Sequence, residues 1–254
     1  MRTVILGRGL LAIAGASLAL MSLVYGDFAP AWKSWPGWIP GGAVWIDGFA
    51  LLVLAAAAGL WVPRLALPSA VAIGVYYGVW AVIAAPPILA DPLGVGAWYG
   101  VMEAMTSLAG VAILYALLRW PSSVPRAIRA AQILFGLTCI FYGWSHFAFA
   151  DYTAGMVPSW LPGHLGLAYA TGAGHMAAGV GIVIGLLPRL AAILEAAMMS
   201  LFGLLVWVPS FWADPRPAWA TPPQNQWSEL VVTLVLAASA WIVAISLTDR
   251  RPSK

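Results

Sequence analysis

Pro188-Arg189-Leu190-Ala191 repeats Pro63-Arg64-Leu65-Ala66, and the recurrence does not stand alone. Trp38-Ile39-Pro40 returns as Trp160-Leu161-Pro162, Ala90-Asp91-Pro92 as Ala213-Asp214-Pro215, and Glu103 as Glu229. The offsets run from 122 to 126 residues, and the order of the landmarks is kept. Such regular self-similarity indicates one unit written twice in tandem. Each unit holds four apolar runs, an even number, so both copies point the same way through a bilayer.

The runs between these landmarks explain why the unit is helical. Of the 254 residues, 62% are hydrophobic and only 8% charged, against about 25% charged in a soluble domain. In lipid every backbone polar group must be satisfied within the chain, and an apolar run of about 20 residues does so as a spanning helix. Spans are expected at 4–24, 43–62, 66–86, 98–118, 127–148, 167–187, 190–208 and 227–247. The expected fold is an all-α integral membrane protein of eight transmembrane helices, arranged as two parallel-repeat four-helix bundles. The first unit covers residues 1–120, a linker 121–127, and the second unit 128–254. Arg2 and Arg8 before an apolar run could also mark a signal peptide. Arg8 matches Arg129 at the start of the second unit, so the run is read as a retained span.

Basic residues set the orientation. Arg2, Arg8, Arg64, Arg119, Arg126, Arg129, Arg189, Arg250, Arg251 and Lys254 fall on one side of the spans, and only Lys33 and Arg216 on the other. By the positive-inside rule both termini, the Pro-Arg hairpins and the linker are cytoplasmic. The outer connections, 25–42 and 209–226 being the longest, are rich in Trp and Pro. Trp32, Trp35, Trp38, Trp160, Trp212 and Trp219 suit the headgroup level, so these segments are expected to lie along the membrane surface. A net charge of +3 from so few groups leaves no nucleic-acid footprint. Cys139 is the only cysteine, which excludes an internal disulfide and a CxxC pair. Gly74-x-x-x-Gly78 and Gly181-x-x-x-Gly185 are the expected sites of close helix packing.

Ionisable residues inside spans are costly, so each is a functional candidate. Asp47, Glu103, His146, His175 and Glu195 stand out, with Glu229 at the outer start of the last span; His164 falls in an outer loop. His146 lies about 28 Å along an outward-running helix, with Tyr142 and Thr138 on successive turns before it. The next span runs back inward and carries Tyr169, Thr171 and His175. Consecutive spans joined by a short loop pack side by side, so Tyr142, His146, Tyr169, Thr171 and His175 form one expected polar cluster, which Glu229 can join. Helix capping accounts equally for Glu103 and Glu229, which sit near matched helix starts. Glu195 is either neutral or paired with a basic group reaching up from the cytoplasmic edge. The first unit has no histidine.

Several chemistries suit this cluster. A quinone head group needs hydrogen-bond partners for its two oxygens and a group that exchanges protons, which imidazole does near neutral pH. Two histidines on facing helices could instead hold a b-type haem, or with Met156, Met176, Met198 and Met199 a copper ion. Purely structural hydrogen bonds between helices are the plainest alternative.

The stretch Phe135-Gly136…Phe141-Tyr142-Gly143-Trp144-Ser145-His146, then Val157-Pro158-Ser159-Trp160-Leu161-Pro162, then Tyr169-Ala170-Thr171-Gly172-Ala173-Gly174-His175, resembles the DoxX family over roughly 128–247. The first unit is similar as a diverged copy. That family comprises small four-helix membrane proteins, and related DoxD-type subunits belong to thiosulfate:quinone oxidoreductases. The resemblance implies a bacterial or archaeal plasma (inner) membrane, a quinone cofactor, and a redox partner subunit on the outer face. In the quinone reading His146, His175 and Glu229 are the expected catalytic residues, Tyr142, Tyr169 and Thr171 the expected head-group contacts, and no metal is expected. Asp151 is a further candidate for relaying protons. This chain departs from a complete oxidoreductase in having no soluble redox domain and no cysteine pair.

Three functions follow as expectations: a membrane subunit of a quinone-linked oxidoreductase, a non-catalytic scaffold or assembly subunit of a larger membrane redox complex, and a small-solute transporter. Transport calls for a helix broken at the midplane, and Ala85-Pro86-Pro87 is the one candidate.

Overall fold

A computed structural model describes residues 2–28, 35–120, 126–215, 217, 219 and 223–247, and no strand occurs among them. The helices are α1 (Arg2–Tyr25), α2 (Gly42–Trp61), α3 (Ala66–Ala84), a short α4 (Pro86–Ala90), α5 (Val95–Arg119), α6 (Arg126–Ala148), a short α7 (Ala150–Met156), α8 (His164–Ile184), α9 (Pro188–Phe202), α10 (Val208–Ser210) and α11 (Pro223–Ser246). A π-helical turn, Gly203–Trp207, joins α9 to α10. Each expected span corresponds to one long helix, with α9, the π turn and α10 together making the seventh. Seven helices are long and apolar enough to cross a membrane, and α6 with α7 makes an eighth if the bent pair counts as one span. The protein is a multi-pass, all-helical membrane protein. Arg129, Gln132, Ser145 and His146 make α6 the most polar of the long helices.

Of the segments read from sequence, linker residues 121–125 lie outside the described residues, while 126 and 127 already belong to α6. Lys33 and Arg216 likewise fall outside them. α7 turns 92° away from α6, as a segment lying along a membrane surface would. Trp38, Trp160 and Trp212 are exposed at the same end of the bundle.

Successive long helices pack against each other in two groups, α1–α2–α3–α5 and α6–α8–α9–α11. The groups meet where α5 packs on α11, flanked by α1 on α11 and α5 on α6. Ser239 of α11 sits over Gly110 of α5, where an added Cβ would come within 2.9 Å of the Ser239 Cα. The start of α1 and the end of α11 share one end of the bundle, because Gly7 lies against Ile242 and Ile245. At that same end Arg129 donates to the last carbonyls of α8, Ile182 at 2.9 Å and Val183 at 2.7 Å. Arg8 reaches the last carbonyl of α2, Trp61, at 3.4 Å. Cations at helix C-termini are favoured by the helix dipole as well as by the unpaired carbonyls there.

Of the expected glycine motifs, Gly181 makes a tight contact, where a Cβ would stand 2.9 Å from the Leu186 carbonyl and 3.3 Å from the Ala191 Cβ on α9, and the Gly74–Gly78 pair does not. A Cβ on Gly78 would meet nothing within 4 Å, and one on Gly74 only ordinary neighbours. Gly185 ends α8 in the left-handed conformation, φ 80°, where a side chain would be strained. The close approach is between α6 and α8, at Gly136 and Gly143 on one helix and Gly172 and Gly179 on the other. A Cβ on Gly136 would stand 2.9 Å from the Gly179 carbonyl, and one on Gly172 would stand 3.1 Å from that of Gly143. The repeat here is seven residues, two full turns, and not four.

Candidate functional site

The glycine seam brings the two membrane histidines together. Side chains on a helix lean toward its N-terminus, and α6 and α8 run antiparallel. The His146 ring therefore leans toward the termini and the His175 ring away from them. They meet with centroids 5.0 Å apart and planes at 67°. Phe202 of α9 lies against both, 6.0 Å from His146 and 5.8 Å from His175.

His175 is buried, and its Nδ1 stands 2.8 Å from Glu195 Oε1, both side chains being almost wholly enclosed. Glu195 is thus paired with a histidine at its own depth, and not with an arginine at the helix end. Its Oε2 is buried without a hydrogen-bond partner. Cys139, also buried, lies within the electrostatic reach of this carboxylate. His146 is half-buried. Its Nδ1 lies 3.0 Å from Thr171 Oγ1 and 3.4 Å from the Ala168 carbonyl. The Thr171 hydroxyl gives its own proton to the Leu167 or Ala168 carbonyl. Both neighbours of His146 Nδ1 are thereby acceptors, so this nitrogen carries the hydrogen and Nε2 presents a lone pair. The Glu195 carboxylate orients His175 in the same way. Among the described residues neither Nε2 has a hydrogen-bond partner.

Of the residues read from sequence, Tyr142, His146, Thr171 and His175 gather here. The Tyr142 ring packs 6.1 Å from His175, and its hydroxyl lies 3.0 Å from Thr106 Oγ1 on α5. Tyr169 is placed differently. It is exposed and stacks on Phe147, with centroids 5.8 Å apart. Ala168, Thr171 and His175 form the inward stripe of α8, and one residue's rotation takes Tyr169 off it. Glu229 stands in the electrostatic neighbourhood of Tyr99 and Tyr152. Neither Glu103 nor Glu229 lies in the first turn of its helix, so capping does not explain them; Glu103 is buried. Asp47 and Asp151 are exposed, and Thr138 bonds back to the Phe135 carbonyl of its own helix.

Glu195 and Phe202 are the members that sequence reading left out. One signal for Glu195 was present: His175 and Glu195 are each ten residues from Gly185, the centre of the hairpin, and therefore equal in depth.

A haem does not fit between these histidines. The rings already touch, and the helices carrying them are in backbone contact at Gly143 and Gly172, leaving no slot for a porphyrin. Among the described residues no three His, Cys, Asp or Glu side chains gather into a group that could hold a metal. His146 is half-buried, Phe202 offers an aromatic wall beside both rings, and the two imidazole Nε2 atoms with Glu195 Oε2 are the polar groups a bound head group could meet.

The fold and this buried polar cluster define a multi-pass membrane protein with an ionisable site inside its spans. A family model described as a domain of unknown function (DUF8561) matches residues 135–244, which include every member of the cluster except those on α5. No curated protein and no solved structure matches the chain.

Proposed function

We propose that the chain is the membrane subunit of a quinone-linked oxidoreductase, built as a duplicated eight-span scaffold with cytoplasmic termini in a plasma membrane. The scaffold reading is supported by matched details. Arg8 caps α2 as Arg129 caps α8, and the two helix groups pack in the same order about the α5–α11 contact. The described arginines Arg8, Arg64, Arg119 and Arg189 fall at the helix ends that share the termini, as the positive-inside rule requires of a cytoplasmic face.

The observation that carries the redox reading is the His175–Glu195 pair beside His146. A buried carboxylate and two imidazoles in an apolar bundle are expensive to keep unless used. When bound, a quinone takes up two electrons and two protons to become a quinol. In this reading His175, held by Glu195, gives or takes a proton at Nε2, His146 orients the head group at its exposed edge, and Thr171 fixes the His146 tautomer. Electrons come from a donor on the outer face through a partner subunit. The DoxX resemblance suggests thiosulfate:quinone chemistry for the complex, with the sulfur step on that partner.

The test is chemical. Protein purified gently in native lipid should carry quinone well above its mole fraction in the surrounding lipid. His146→Ala and His175→Asn should lose it while keeping their helical spectrum. Quinone at the bulk lipid ratio in wild type, or equal retention in both variants, would sink the proposal.

A further inference from the structure

Helices α1 and α9 both pack on α11 and have little contact with each other, and a cleft of about 270 Å³ runs between them. Ala237 and Ala238 of α11 give it a shallow floor, with Leu10 and Ile13 on one wall and Ile193 and Ala197 on the other. The Ser200 hydroxyl, also on the α9 wall, returns to the Ala196 carbonyl at 2.7 Å. The lining is therefore apolar. Such a cleft stays dry and forfeits dispersion contacts until something fills it, and within a bilayer the filler is hydrocarbon. Its one charged neighbour lies at the end where α1 starts. Arg189, Ile193, Ala197 and Ser200 follow at i, i+4, i+8 and i+11 along α9, so exposed Arg189 begins the stripe that lines the cleft. At 1.5 Å per residue the wall extends from about 6 to about 16 Å beyond that arginine. One leaflet holds about 15 Å of hydrocarbon, so the depths agree.

We propose that the cleft seats one acyl chain of an anionic phospholipid whose phosphate pairs with Arg189, in the leaflet at the end of the bundle where α1 starts. A guanidinium matches a phosphate with two parallel N–H donors, and its long stem lets it reach the headgroup level from a helix end. Arg8 does not compete for that phosphate, because it is turned to the Trp61 carbonyl at the end of α2. Trp241 of α11 lines the same end of the cleft, and its Nε1 is buried without a hydrogen-bond partner among the described residues. A buried N–H without an acceptor is costly, and an ester carbonyl of the seated lipid would supply one. The chain is that of a phospholipid and not the tail of a quinone held at the histidines. Glu195 lies two residues from both Ile193 and Ala197, about 200° around α9 from each, so the helix itself stands between the His175–Glu195 pair and the cleft.

Native mass spectrometry of the full chain, released from nanodiscs of equal parts phosphatidylglycerol and phosphatidylcholine, tests the site. One phosphatidylglycerol should stay with each chain in preference to phosphatidylcholine. Arg189→Gln should lower that retention about fivefold, the share of one cation at an anionic surface. Ala197→Phe, which fills the cleft from its exposed side and leaves the arginine in place, should lower it as well. Arg64→Gln removes another exposed arginine from the same end and should change nothing. Equal retention of the two lipids by the wild type overturns the proposal, as does undiminished retention in either Arg189→Gln or Ala197→Phe. An equal fall in Arg64→Gln would mean diffuse attraction to the membrane surface, and loss in His175→Asn would mean a lipid at the histidines; each overturns it too.

Discussion

The two helix groups of this protein pack alike and differ in what they enclose. In α1–α2–α3–α5 the interior is aromatic: Phe28, Phe49, Tyr76, Tyr77 and Trp80 interlock, and the Tyr76 hydroxyl closes on the Phe28 carbonyl at 3.0 Å. In α6–α8–α9–α11 the corresponding space holds His146, His175, Glu195 and Tyr142. The two groups thus enclose different interiors, and in the second the buried His175 and Glu195 meet each other. Ala70 of α3, the counterpart of Glu195 if the proposed duplication holds, is fully buried. Placing a carboxyl there, Ala70→Glu, gives it no imidazole to meet and should cost about 3 kcal/mol or more. Unfolding in mixed detergent micelles checks this. Wild-type stability in Ala70→Glu would mean that the carboxyl escapes the first interior, and the contrast between the two units would dissolve.

A middle-sized effect separates the glycine seams. Gly136 lies on α6 and Gly15 on α1, each the first long helix of its group. A methyl on Gly136 would press on the Gly179 carbonyl, whereas one on Gly15 would sit 3.8 Å from Ala57 and Val53, ordinary contact. Gly136→Ala should destabilise by about 1–3 kcal/mol through overpacking. Gly15→Ala should be neutral or gain up to about 1 kcal/mol, because alanine is the better helix former. The melting temperature should fall in Gly136→Ala and stay or rise in Gly15→Ala. Equal shifts would show that α1–α2 is packed as tightly as α6–α8, against the geometry.

How much of this was legible beforehand follows the same division. The long apolar helices were readable because length and apolarity decide them, seven outright and an eighth if the bent α6–α7 pair counts as one span, and α8 differs from its expected range by only three residues at each end. His146 and His175 were readable as neighbours because short connections keep consecutive helices adjacent. The azimuth around each helix was not. These helices are apolar on nearly every face, since lipid rewards outward leucines as much as the core does, so the usual amphipathic cue is weak. Tyr169 therefore went to the wrong side of its helix in the sequence reading. A basic group at the cytoplasmic edge is the expected partner of Glu195 along its own helix, although depth relative to the hairpin centre at Gly185 governs which groups can pair. Glu103 resembled a cap because its helix begins at Val95, earlier than its hydropathy suggests.

The smallest expected difference lies at the end where α1 starts and α11 ends, where Arg8 and Arg129 reach the ends of α2 and α8 with unequal geometry. Arg129 makes short bonds to two carbonyls of α8 and also approaches Gln132, whose amide reaches Ser246 Oγ at 3.0 Å on α11. Arg8 makes a single long contact with α2. A charged donor shared by two carbonyls contributes more than one at the limit of hydrogen-bond distance. Arg129→Gln should therefore lower stability by about 1 kcal/mol, and Arg8→Gln by a few tenths at most, roughly the scatter of surface substitutions. Because Arg129 also ties α6 to α8 below the glycine seam, its loss should loosen the seam before it loosens the first unit. Hydrogen exchange of the Ile182 and Val183 region should rise in Arg129→Gln while that around Trp61 stays unchanged. A rise at both places would mean that the two caps act through the shared α1–α11 and α5–α11 contacts, coupling the units more strongly than their separate packing implies.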